Sequence, residues 1–102
     1  MEKVINGKTY STETANCVCY GATHGAGGDF SYSVEALYQK RTGEFFIHGK
    51  GGPMTKYAKK MEDGNLGFGE MIIPISAEEA RAWTEINGDY EDYCKIFGKP
   101  EE

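Results

Sequence analysis

Residues 33–49, SVEALYQKRTGEFFIHG, constrain the fold more than any other stretch of the chain. Two runs that suit strands, Val34–Gln39 and Glu44–His48, flank a KRTG turn in which Gly43 takes the left-handed position of a tight hairpin. Phe45, Phe46 and Ile47 are consecutive apolar residues, so neither face of their strand suits water. That strand therefore belongs inside a sheet, covered on both faces.

Other segments add short elements around this hairpin. Asn6-Gly7 supplies the two positive-φ residues of a type I′ turn and predicts an N-terminal hairpin. NCVCY, residues 16–20, and GEMIIPIS, residues 69–76, read as strands; Pro74 restricts which ladder positions of the latter can donate hydrogen bonds. HGAGGDFSY, residues 24–32, is too glycine-rich for anything but a loop. After Pro53, MTKYAKKMEDG predicts a helix of two or three turns with Thr55 as N-cap, Gly64 as stop, and Tyr57, Ala58 and Met61 along one side.

SAEEARAW opens with a capping box between Ser76 and Glu79, followed by a buried stripe of Ala80, Trp83 and Ile86 that ends at Asn87-Gly88. A last helix starts at Asp89, packs through Tyr93, Ile96 and Phe97, and stops at Gly98 before Pro100. Fourteen glycines in 102 residues favour short strands and tight bends over a helical bundle. The expectation is an α+β fold: a small antiparallel sheet of about four to five strands with two to three short helices, two of them C-terminal. The length allows one core, hence a single domain over residues 1–102.

The formal net charge of -5 repels a phosphate backbone on average, which favours a basic protein surface as partner over ordinary nucleic-acid binding. No signal-peptide pattern opens the chain, and no apolar run approaches the roughly 20 residues that span a bilayer; a cytoplasmic protein is expected. Cys17, Cys19 and Cys94 are odd in number, with the close pair spaced C-x-C, so free thiols are expected.

One internal echo bears on chemistry: HGAGG at residues 24–28 and HGKGG at residues 48–52 share the pattern H-G-x-G-G. Two such bends facing each other would offer an anion or RNA site built from His24, His48, Lys50, Gly51 and Gly52, with successive amides forming a nest. The plainer reading makes each a strand exit that needs glycine, the second being a hinge between a buried strand and a basic helix. A P-loop is excluded because Gly49-Lys50 is followed by glycine, and a lipase-type oxyanion loop because the chain has no G-x-S-x-G.

Strict alternation would put Cys17 and Cys19 on one strand face near the histidines, yet C-x-C lacks the turn that lets two cysteines converge on one ion. Neither a metal nor a cofactor is expected. Glu70, Glu78, Glu79, Glu85, Asp89, Glu91 and Asp92 include the acids of a catalytic pair if one exists, but first-turn capping accounts for most of them. Acting together, the acids of the C-terminal helices form a field that competes for a basic groove. Lys50, Lys56, Lys59 and Lys60 make the opposite pole, read as the solvated side of a helix, with the docking of an RNA or an acidic patch as the alternative.

INGKTYSTETA, LYQKRTGEFFIHGKGGPMTKYA and IIPISAEEARAW together resemble a family of small proteins carried on phages, plasmids and conjugative elements of Gram-positive bacteria. The likeness runs from Ile5 to about Trp83, and its most specific part is the strand-glycine-helix block. It implies a counter-defence role similar to anti-CRISPR proteins of type II-A systems, with a CRISPR effector nuclease or its guide-RNA complex in the bacterial host as partner. No catalytic residue carries over. Glu78, Glu79, Glu85, Asp89, Glu91 and Asp92 are the expected partner-binding residues; monomer and homodimer are equally compatible with the sequence.

Overall fold

A computed structural model describes residues 1–25 and 29–102. The fold is α+β, as expected. Strands β1 (Glu2–Ile5) and β2 (Lys8–Ser11) form the N-terminal hairpin, turned by Asn6 at φ 52° and Gly7 at φ 77°. Then come β3 (Asn16–Tyr20), β4 (Ser33–Gln39), β5 (Phe45–Gly51), β6 (Lys59–Lys60), β7 (Leu66–Gly67) and β8 (Gly69–Ile75). Helices α1 (Ala77–Asn87) and α2 (Tyr90–Phe97) close the chain.

The main sheet is antiparallel in the order β3-β4-β5-β8. Its centre is the predicted hairpin, with Gly43 at φ 94° in the turn. β5 is interior: Phe45, Phe46 and Ile47 are buried, and alternation sends them to opposite faces. Phe45 and Ile47 join Val18, Cys19, Leu37 and Ala80 in a core that α1 and α2 cover with Trp83, Ile96 and Phe97. Phe46 joins Tyr10 and Ile72 in a second core beneath the N-terminal hairpin, stacked on Tyr38 with ring centroids 5.3 Å apart.

Both helix starts carry reciprocal caps. The Glu79 amide donates to Ser76 Oγ at 3.1 Å and the Ser76 amide to Glu79 Oε1 at 3.0 Å. Asp89 and Asp92 do the same for α2, at 2.8 Å and 3.0 Å. Along α1 the buried stripe is Ala80, Trp83 and Thr84, not Ile86, which is 81% exposed. Thr84 is tolerated inside because its hydroxyl donates to the Ala80 carbonyl at 2.8 Å.

The helix expected after Pro53 does not form. Thr55 Oγ1 donates to the Gly52 carbonyl at 2.8 Å and accepts from the Tyr57 amide at 3.2 Å, which holds a turn in place of a first helical turn. Beyond it, Lys59–Lys60 pairs with Leu66–Gly67 around Gly64 at φ 88°, so the segment is a small exposed hairpin. Tyr57 decides the matter: it is 2% exposed, and a tertiary anchor of that size overrides the weak local helix preference.

Candidate functional site

The glycines after Phe46 were expected to end a strand, but β5 continues through His48, Gly49 and Lys50 to Gly51, paired on both sides. Their role is close approach. A Cβ at Gly49 would fall within the ring of Tyr57, one at Gly69 would meet the Tyr57 carbonyl, and one at Gly51 would lie 2.8 Å from the Tyr32 carbonyl. A bare strip of sheet thus admits the 52–58 loop against it. The Tyr57 hydroxyl donates to Glu35, whose carboxylate also pairs with Lys56 Nζ at 3.2 Å.

Electrostatics follow from that packing. Burial first, then the neighbouring carboxylate, push the Tyr57 hydroxyl above its ordinary value, so it stays a donor. Burial opposes ionisation of Glu35, yet hydrogen bonds from Tyr57 and Lys56 together with the Lys56 charge hold its carboxyl below the usual range. Sequence reading missed this group because its members lie on three separate segments. The one available signal was an aromatic residue a few positions beyond a glycine run.

The anion site expected from the paired glycine segments is not assembled. Residues 26–28 of the first segment lie outside the described residues. His24 bridges Ser33, on the sheet face that carries Glu35, whereas His48 continues the opposite face of Phe46. His48 Nε2 contacts Glu70 Oε2 at 2.8 Å. The amides of the second segment are not free for a nest: β5 is laddered over its whole length, and the Gly52 amide donates to the Tyr32 carbonyl at 2.8 Å. The hinge reading fails with it, since the chain turns only at Gly52 and leads into no helix.

The two cysteines of β3 also part company. A bulge shifts the register so that Cys17 pairs with Tyr38 and Cys19 with Leu37, neighbours on opposite faces. All three cysteines are free thiols. Among the described residues no group of three or more His, Cys, Asp or Glu side chains is placed to hold one ion.

The six acids of the C-terminal helices divide by role. Glu79 and Asp92 bind backbone amides in the capping boxes, and Asp89 caps α2; the Ser76 hydrogen bonds, backbone first, hold the Glu79 carboxyl below its ordinary value. Glu78, Glu85 and Glu91 are exposed. None of the six belongs to an ion pair among the described residues, where the paired acids are Glu35, Glu44 and Glu70. At the α1–α2 junction Glu85, Asp89, Tyr90 and Tyr93 border a shallow depression of about 230 Å³. Tyr90, which lines it, is 62% exposed, and Ile86, one residue before the end of α1, is 81% exposed.

The sequence draws Ile86 into the buried stripe because it is three residues beyond Trp83, but it is also six beyond Ala80, an offset that turns it away from the core. No family model, curated protein or solved structure matches the chain. No helix among the described residues is long and apolar enough to cross a membrane.

Proposed function

We propose that the protein is a stoichiometric anti-CRISPR inhibitor that binds a type II guide-RNA nuclease of its bacterial host, in the cytoplasm, and acts without chemistry of its own. The observation that carries this reading is the α1–α2 junction, where Ile86 and Tyr90 are exposed and the exposed carboxylates of Glu85 and Glu91 belong to no ion pair among the described residues. Exposed apolar and aromatic anchors beside carboxylates are an arrangement that hot-spot recognition of a basic protein surface uses. A nuclease groove that holds nucleic acid is such a surface. The choice of nuclease comes from the sequence resemblance, and the surface supplies the mode of action.

The test is a target-cleavage assay with the inhibitor added before or after guide loading, and with the guide RNA followed on a gel. Loss of cleavage with intact guide, at near-equimolar inhibitor, is the expected result. Reversing Glu85 and Glu91 to lysine should weaken inhibition by ~10-fold or more and flatten its salt dependence; both side chains are exposed and in no ion pair among the described residues. Full inhibition by that folded double variant would remove the acidic junction from the mechanism. Shortened guide RNA would replace binding with catalysis.

A further inference from the structure

The N-terminal hairpin covers only part of its side of the main sheet. Beyond the Tyr38–Phe46–Pro74 row, the same face carries Tyr20, Ala36 and His48 in one cross-strand row, then Val34, Lys50 and Glu70 in the next. Ala36 and Val34 are small, and they form the floor of a groove of about 500 Å³ walled by Tyr20, Tyr32, Tyr38, His48 and Lys50. Tyr20 on β3 and His48 on β5 are two strand spacings apart, about 9.6 Å, which leaves room for one planar ring over Ala36. His48 leans to Glu70 and keeps that space open. Tyr20 is 73% exposed, with its ring open to solvent at the mouth of the groove.

Past Lys50, at the Gly51–Gly69 end of the sheet, a second hollow of about 540 Å³ is bordered by Tyr32, Lys59, Phe68 and Glu70, with Lys59 reaching it from the side that carries Tyr57. Charge along this path is not that of the whole molecule. The Glu35 carboxylate turns to Tyr57 and Lys56 on the other side of the sheet, and Glu70 is engaged by His48. Lys50 and Lys59 are both exposed and belong to no ion pair among the described residues. An aromatic trough that ends in two exposed ammonium groups matches a planar ring carrying an anion, with the Glu70 carboxylate across the ladder from Lys50 turned to His48.

We infer that this groove binds a nucleotide unit, with the base in the Tyr20–Ala36–His48 trough and the phosphate at Lys50 and Lys59. The unit is either a free nucleotide or one link of a single strand. The groove lies across the sheet from α1 and α2, so this inference goes beyond the inhibitor reading and stands or falls separately from it.

Titrations of the full chain with a nucleoside monophosphate, an unstructured hexanucleotide and inorganic phosphate, at low salt and followed by amide chemical shifts, test the inference. Shifts confined to residues around Tyr20, Ala36, His48 and Lys50 are expected with the first two probes. A hexanucleotide at least ~10-fold tighter than the monophosphate marks a single strand as the source; equal affinities mark a free nucleotide. Tyr20→Ala should weaken binding ~10-fold or more, and Lys50→Ala should lower the salt slope by about one. Two results would overturn the inference: no shifts at millimolar nucleotide, or shifts that inorganic phosphate reproduces and a folded Tyr20→Ala variant retains.

Discussion

The ring of Tyr57 occupies the space that a side chain at position 49 would need, and its hydroxyl reaches across β5 to Glu35. Even one methyl group at Gly49 therefore displaces the anchor of the whole 52–58 loop. Gly49→Ala is expected to destabilise the fold by ~2–3 kcal/mol and Tyr57→Ala by ~3 kcal/mol or more. Denaturant unfolding of the two variants and of their combination gives the check. Because both lesions remove one contact, the double variant should fall well short of the sum.

Acid should loosen the join between the N-terminal hairpin and the sheet. Glu44 accepts Lys8 Nζ at 2.9 Å and Lys40 Nζ at 3.3 Å, and hydrogen bonds from Lys8, Thr42 and Lys40 pull its carboxyl down to about 2 from an ordinary 4.5. A depressed carboxyl contributes stability that is complete above pH 4.5 and is lost as the pH falls through about 2. Melting temperatures between pH 5 and 2 should drop less steeply in Glu44→Gln than in the parent. Since the site is open to solvent, 1 M salt should shrink the difference.

The two capping boxes predict a contrast between stability and function. Ser76→Ala and Asp89→Ala should each cost ~1 kcal/mol, because each strands a first-turn amide. Glu78→Gln and Glu91→Gln touch no backbone group and should leave the denaturation midpoint within ~0.5 kcal/mol of the parent. A large loss of stability in either glutamine variant would show that these carboxylates hold the helices rather than face a partner.

Thiol labelling should discriminate the cysteines. Burial pushes the Cys19 thiol up to about 11, against a partly offsetting hydrogen bond with Thr84. Little thiolate is then present at pH 8, and alkylation by iodoacetamide should be slow until the protein unfolds. Peptide mapping after brief labelling is expected to find Cys19 the least modified of the three. Rapid native-state labelling of Cys19 would mean that the helix-side core opens readily.

Much of this fold is legible in the sequence because its local signals agree with its packing. Asn6-Gly7, Gly43, the Ser76–Glu79 box and the Phe45–Phe46–Ile47 run each state a local preference that the tertiary structure keeps. The segment after Pro53 reads wrongly for the opposite reason. Its helical pattern is weak, and the burial of the Tyr57 ring against Gly49 outweighs it. Candidate sites suffer most, since they depend on which strands become neighbours. Tyr20, Tyr32, Tyr38 and Lys50 are scattered over thirty-one positions and meet only once β3, β4 and β5 align. His24 and His48, set in matching motifs, end on opposite faces.

The bare strip at Gly49, Gly51 and Gly69 has a consequence for anyone mapping tolerance to substitution. A saturation library would return these glycines as rigidly fixed, beside a histidine and a lysine that also resist change if the groove is used. That profile is what a phosphate-binding loop would produce. Here the same signature records the 52–58 loop lying against bare backbone, and along β5 the packing positions Gly49 and Gly51 alternate with His48 and Lys50, which face the other way.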